Sequence, residues 1–386
     1  MNAPSPIELL DRLVAFPTVS QDSNLALIDF VREHLARLGV TARLTFNAER
    51  TKANLFATVG AGPGGIVLSG HTDVVPVAGQ NWTSDPFAMV ERDGRLYGRG
   101  TADMKGFIAT ALALVPELLG HPRAEPIHLA LSYDEEIGCL GAPGLLADLS
   151  AAGIAPRLAV IGEPTSMRVI NAHKGICFNR TMITGVPGHS SQPQHGVNAI
   201  TAAASLIEFI EREARAAEGR ARPDGDFEPP YTTYNVGKIA GGAAMNIIAA
   251  NAELDWEFRN APWDDSDALR ARIEGFIADD LRGRLKARDP RADATNRCMA
   301  DVPGFMPDPD SPAVRLALRL TGQNRAGTVP FSTEAGLFQR AGIATVICGP
   351  GSIGDAHRAD EFVARDQLEA CARFLRQVAD STLPTG

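Results

Sequence analysis

The chain has 386 residues, 45% of them hydrophobic and 22% charged, with a formal net charge of −9. That length exceeds one typical core, so two domains are expected, and the composition is that of a globular protein. The acidic balance, without any sustained basic run, excludes a phosphate-backbone partner such as nucleic acid, and no apolar run reaches the ~18–20 residues of a membrane span.

The opening MNAPSPIELLDRLVAFPTVS lacks the basic start and long apolar centre of a secretory leader, so a cytoplasmic location is expected. Ser5 followed by Pro6 reads as an N-cap and first helical position, opening an amphipathic helix over PIELLDRLVAF. Up to about residue 175, apolar strand runs alternate with helical patterns. NLFATV, GIVLSG, PIHLALSYD and RLAVIG read as strands; NLALIDFVREHLARLG and MKGFIATALALVPELLG read as helices, each closed by glycine. This rhythm predicts an α/β domain with a mostly parallel sheet covered on both faces. Ligands on such sheets bind beyond the carboxyl ends of the strands.

After Cys177 the pattern changes. A strand CFNRTMITG, a helix VNAITAAASLIEFIEREARAA and a polar stretch EGRARPDGDFEPP precede two long alternating runs, YTTYNVGKIAGG and MNIIAANAELDWEFR. A helix from Asp265 to Leu285 follows. These elements predict a small α+β domain over 177–293, inserted into an α/β domain formed by 1–176 and 294–386. The α/β rhythm then returns in AVRLALRLTG, EAGLFQRAG, ATVICGPG and the final helix DQLEACARFLRQVA. The five cysteines are scattered and form no CxxC pair, which argues against a thiolate zinc site or a disulfide framework.

Polar residues gather where strands end. His71 and Asp73 follow IVLSG, and residues two apart on a strand point the same way. Asp103 lies in LYGRGTADMKGF, Glu135 and Glu136 in DEEIGCLGA, Glu163 in GEPTS and His357 in CGPGSIGDAHRADEF. One histidine at a strand end is more often a hydrogen-bonded structural residue. Five strand ends each presenting an acid or an imidazole to one sheet edge make a nest for divalent metals of the zinc type. Five ligands exceed the set of a single catalytic zinc, which keeps one position open, whereas a carboxylate shared by two ions uses them all. Adjacent Glu135 and Glu136 cannot point the same way on an extended chain, so one can bind metal while the other faces a substrate as base.

The segments SGHTDVVPV, NWTSDPF, LYGRGTADMKG, DEEIGCLGA, IGEPTS, GHSSQP and CGPGSIGDAH resemble, in order, the successive signatures of the di-zinc aminoacylase and carboxypeptidase family. The likeness is strongest to its acetylornithine-deacetylating branch. It implies a zinc-peptidase-like α/β catalytic domain with an inserted α+β lid that serves dimerisation, and hence a homodimer. It implies two divalent ions, zinc or alternatively cobalt or manganese, with His71 and Glu163 on one, Glu136 and His357 on the other and Asp103 between them. Asp73 would accept the His71 imidazole N–H and fix its tautomer, and Glu135 would be the general base. In the inserted domain His189, in GVPGHSSQP, would stabilise the oxyanion. Asn246 in AAMNIIAANAEL and Arg259 in LDWEFRNAP would grip the substrate carboxylate. LDWEFR departs from the Asp-Ile-Arg ending of many relatives but keeps the arginine. Thr333, Glu334 and Ala335 stand where desuccinylases carry Thr-Ser-Asp-Gly, and Glu334 would suit a cationic side chain such as ornithine's.

The expected activity is therefore metal-dependent hydrolysis of a small N-acyl amino acid, N2-acetyl-L-ornithine, to L-ornithine and acetate for arginine synthesis. The alternatives are the same chemistry on N-acetylcitrulline or N-succinyl-diaminopimelate, a dipeptidase, and a non-catalytic small-molecule-binding relative.

Overall fold

Ser5 opens the first helix as expected: its hydroxyl accepts the Glu8 N–H while the Glu8 carboxylate reaches back to the Ser5 N–H, and Pro6 starts the helix Pro6–Val14. The computed structural model describes residues 3–222 and 226–384; Pro223–Gly225 of the polar EGRARPDGDFEPP stretch lie outside the described residues. The chain divides into two compact units. Unit 1 comprises Met1–Asn171, Pro307–Thr328 and Thr333–Gly386, and unit 2 comprises Ala172–Met306 and Val329–Ser332. Among the described residues no helix is long and apolar enough to cross a membrane.

Unit 1 is built on a mixed sheet. Six of its strands run in the order Ala42–Phe46, Ala53–Val59, Ile127–Ser132, Ile66–His71, Leu158–Pro164 and Ala344–Gly349. The strand Ile66–His71 lies parallel to both its neighbours, and Ala344–Gly349 lies parallel to Leu158–Pro164. The first two strands pair antiparallel instead, so the parallel expectation holds for the centre of the sheet and not its edge. Every residue of the strands Ile66–His71, Ile127–Ser132 and Leu158–Pro164 is buried, which is why they read as continuous apolar runs.

The helix Gly106–Leu119 is buried on nearly all sides, packed with Pro6–Val14 and Arg365–Asp380. Its Phe107 ring lies so close to the strand Leu158–Pro164 that a Cβ on Gly162 would fall 2.0 Å from the ring. Glycine at 162 therefore sets the approach of helix to sheet, one residue before Glu163.

Unit 2 is a four-stranded antiparallel sheet in the order Thr233–Gly241, Asn251–Arg259, Ile176–Thr184 and Asp293–Val302. Burial alternates strictly along Asn251–Arg259, and the helix Ala199–Glu218 and the helical run Ser266–Arg288 supply its apolar partners. Asp265 caps that run through the Asp267 and Ala268 N–H groups.

Unit 2 departs from the expected 177–293: it begins at Ala172, includes Val329–Ser332 and runs further at its other end. Asp293–Val302 pairs with Ile176–Thr184, so the unit extends past residue 293 to Met306. The run beginning at Met245 joins the sheet only at Asn251, because its preceding backbone bonds the 188–190 loop: Ser190 N–H to Asn246 O at 3.0 Å and Ile248 N–H to Gly188 O at 2.9 Å. All five cysteines are free, with the Cys177 and Cys298 sulfurs 3.8 Å apart.

Gly162→Ala tests the helix–sheet approach. Overpacking a close-packed core costs about 1–3 kcal/mol, so the urea midpoint should fall by that equivalent. A wild-type midpoint would mean that Phe107 moves aside freely.

Candidate metal centre

The central strands are parallel, so they all finish at one edge of the sheet. His71 ends one of them and lies opposite Ser132, the last residue of its neighbour, from which the chain runs on to Glu135 and Glu136. Glu163 closes the next strand, and the loop after Ala344–Gly349 carries His357. Asp103 comes from the turn that leads into the helix Gly106–Leu119.

The structure brings these residues together. His71 Nε2 lies 3.0 Å from Asp103 Oδ1 and 4.0 Å from Glu163 Oε1. His357 Nε2 lies 3.2 Å from Asp103 Oδ2 and 3.0 Å from Glu136 Oε2. The two oxygens of Asp103 thus face two different imidazoles, each of which has a further acid beside it. Donor atoms of His71, Glu135 and Glu163 lie within 4.8 Å of one another, as do those of His71, Asp103 and Glu136. Both triads could hold a cation.

Two observations test that fit. The buried Glu163 Oε1 has no hydrogen-bond partner among the described residues, an expensive arrangement for a carboxylate unless a cation faces it. On His71, Nδ1 meets the Asp73 backbone carbonyl at 2.9 Å, so Nδ1 carries a hydrogen and Nε2 is the nitrogen left to face Asp103, Glu163 and a cation. The residues fit divalent ions of the zinc type.

The same contact changes the expected part of Asp73. Its carboxylate stands 3.6 Å from His71 Nδ1 and instead accepts from Ser20 Oγ at 2.7 Å, Glu135 N at 3.1 Å and Glu136 N at 3.3 Å. The Asp73 carbonyl orients the imidazole, while its carboxylate orders the backbone that presents both glutamates. Lys52 grips the preceding Asp134 at 2.5 Å.

Electrostatically the centre is a crowd of acids sharing protons with imidazoles. Burial opposes charge on His71, but hydrogen bonds to Asp103 and Asp73 and the field of Glu135 outweigh it, raising its pKa well above the ordinary value. Hydrogen bonds to Asp103 and Glu136 lift His357 to about 11. Burial and the Asp103 charge push Glu136 up to about 7. Burial likewise holds Glu135 and Glu163 well above the usual carboxylate range. Asp103 goes the other way, since its two imidazole partners outweigh its burial.

Of the remaining expected residues, Thr333 and Glu334 lie inside unit 1, 0% and 1% exposed. Thr333 Oγ1 accepts the Ala335 N–H at the start of the helix Ala335–Arg340. Ser69 Oγ donates to Glu334 Oε2 at 3.5 Å, and burial raises that acid to about 7. Glu334 Oε1, like Glu163 Oε1, is buried without a hydrogen-bond partner among the described residues.

His189, Asn246 and Arg259 belong to unit 2. His189 is exposed, and its backbone bridges to Ile247, beside Asn246. Its Nδ1 accepts from Ser191 N at 3.2 Å and pairs with Ser191 Oγ at 2.7 Å. Arg259 pairs with Glu257 at 3.3 Å and stands 5.9 Å from the Phe178 ring centre. The sequence reading missed Gln80, Arg99 and Glu361, although Arg99 and Glu361 flank Asp103 and His357 in the segments already quoted.

Comparison with known proteins agrees with this geometry. The family model for peptidase family M20/M25/M40 matches residues 67–381. Acetylornithine deacetylase from Proteus mirabilis is 36% identical over 385 residues, spanning 98% of this chain and 97% of that one. The enzyme of that name from Photorhabdus laumondii is 36% identical over 392 residues, with 98% and 97% covered. Among solved structures, an M20 family metallo-carboxypeptidase from Sulfolobus solfataricus superposes with a TM-score of 0.76 at 17% identity, covering 97% of this chain and 98% of that one. A dinuclear metal-binding M20 peptidase from Bacillus subtilis gives 0.64 at 16% identity, with 98% and 97% covered. With a matching family model over most of its length and relatives at 36% identity end to end, the chain belongs to peptidase family M20/M25/M40, a family of amide-bond hydrolases.

Proposed function

We propose that the chain hydrolyses N2-acetyl-L-ornithine to L-ornithine and acetate, with two divalent ions held around Asp103. The observation that carries this reading is a coincidence of sequence and geometry. Relatives named acetylornithine deacetylase match nearly the whole chain, and one carboxylate at its centre faces two imidazoles. His71 and Glu163 would hold one ion, Glu136 and His357 the other, with Asp103 common to both. Zinc suits these ligands, and cobalt and manganese accept the same types.

Bound ions supply Lewis acidity to the amide carbonyl and lower the pKa of a water at the site. Glu135 takes the proton of the attacking water and returns it to the leaving amine nitrogen. The choice of Glu135 over Glu136 rests on their hydrogen bonds: Glu136 pairs with His357, whereas the Glu135 carboxylate accepts from the weak Cys139 thiol donor at 3.5 Å. Its raised pKa suits an acid that must hold a proton between two steps.

His189 would serve the oxyanion. Because Nδ1 accepts the Ser191 N–H, the neutral ring carries its hydrogen on Nε2, the tautomer with a donor to offer. Asn246 and Arg259 would bind the substrate carboxylate, Arg259 with its planar fork. Thr333 and Glu334 would complete the substrate site, Glu334 as the acid facing a cationic side chain. The enzyme would work in the cytoplasm as a homodimer joined through unit 2, in arginine synthesis.

Glu135→Gln keeps the shape but cannot accept a proton. Turnover, followed by amine release, should fall at least ~10²-fold with metal content unchanged; lost metal with unchanged activity per ion would mean that Glu135 is a ligand.

Ion uptake should also depend on pH. A cation must displace the His357 proton, held up to about 11, and the Glu136 proton, which is itself lost near 7, so affinity should increase from about pH 6 to about pH 8 with net proton release. Calorimetric titration in two buffers of different ionisation enthalpy measures both quantities. Affinity independent of pH, without proton release, contradicts the ligand set.

A further inference from the structure

Arg99 and Glu361 form an ion pair at 2.6 Å, with side chains 1% and 0% exposed. Burying two charges is costly unless further hydrogen bonds complete them, and where those bonds go is informative. Glu361 Oε1 accepts three backbone N–H groups, from Gly100 at 3.0 Å, Ala102 at 3.0 Å and Asp103 at 3.1 Å. The turn that carries Asp103 is therefore wrapped around one carboxylate oxygen.

The Arg99 guanidinium reaches the opposite way. Its Nη2 donates to Gln80 Oε1 at 2.6 Å, and Nη1 also meets the Arg358 carbonyl at 3.4 Å. Gln80 Oε1 is fixed a second time by Trp82 Nε1 at 3.0 Å, and its Nε2 donates to the His357 carbonyl at 2.9 Å. His357 has φ +61°, a left-handed backbone that persists in a non-glycine residue where neighbouring contacts hold it.

We propose that Glu361, Arg99 and Gln80 are positioning residues that set the spacing between Asp103 and His357. Glu361 fixes Asp103 through its backbone, and Gln80, oriented by Arg99, fixes the backbone of His357. One guanidinium thus serves both anchor points. The proposal rests on the two-ion reading and deepens it: the backbone held by Gln80 belongs to the His357–Glu136 side, whereas Glu361 acts through Asp103, whose oxygens face both imidazoles.

The consequence is selective. Residues that orient metal ligands typically cost about 10–100-fold in metal affinity when removed, and here that loss should fall on one of two ions. Zinc titrated calorimetrically into chelator-treated protein should give two binding events in the wild type. Gln80→Ala, a change at a half-buried surface position, should weaken one event about 10-fold or more and leave the other within about twofold. His357→Ala identifies which event belongs to the His357 side.

At fixed zinc, kcat should fall for Gln80→Ala while KM for acetylornithine stays within about twofold, and the thermal midpoint of the chelated protein should not move. Two unchanged events overturn the proposal. So does equal weakening of both events with a lowered midpoint, which is the signature of a purely structural role. A wild type showing two events without releasing ornithine would overturn the substrate reading alone, and a wild type showing one event would overturn the two-ion reading together with this proposal.

Discussion

Carboxyl groups crowded into a small volume at the end of a parallel sheet are the constraint on which the rest of unit 1 depends. Asp73, Asp103, Glu163, Glu334 and Glu361 are buried, and Glu135 and Glu136 are half-buried beside them. Buried side-chain cations nearby include Lys52, paired with Asp134, Arg99, paired with Glu361, and Lys105, which burial pushes down to about 7 against the pull of Glu361 and Asp73. Two imidazoles take up part of the remaining charge. Uncompensated buried charge is expensive, so such a centre must attract protons or cations, and the orphaned oxygen of Glu163 points to the second.

Each surrounding feature follows from keeping that crowd in register. Parallel pairing delivers His71 and Glu163 to the same edge. Gly162 lets Phe107, and with it the helix that follows Asp103, lie directly on the strand that ends in Glu163. Asp73 and Glu361 use carboxylates to hold backbone N–H groups, a role requiring buried acids that do not themselves bind metal. The acids of the centre therefore divide into those available to a cation and those that arrange them.

Much of this was legible in the sequence because it is local. A buried strand announces itself as an apolar run, and a polar residue at the end of one, as at His71 or Glu163, is visible without knowing the fold. The segments around these residues also carried the likeness to the family. What was not legible depends on contacts between distant segments: Glu361 lies 262 positions from Arg99, and Gln80 lies 277 from His357. Which oxygen of Asp73 meets His71 is settled by backbone conformation, not by residue type. The burial of Glu334 depends on Ser69 and on packing that no periodicity reports. The strand Asp293–Val302 escaped notice because it lies at the sheet edge, where only part of it is buried and no apolar run forms.

The proposed function stands on Asp103 being shared by two ions. The most direct test is anomalous scattering from crystals grown with zinc, recorded on both sides of the zinc absorption edge. Two peaks about 3.5–4 Å apart are expected, one bounded by His71 and Glu163 and the other by Glu136 and His357, with Asp103 reaching both. A single peak at full occupancy, or two peaks that do not share Asp103, would contradict it.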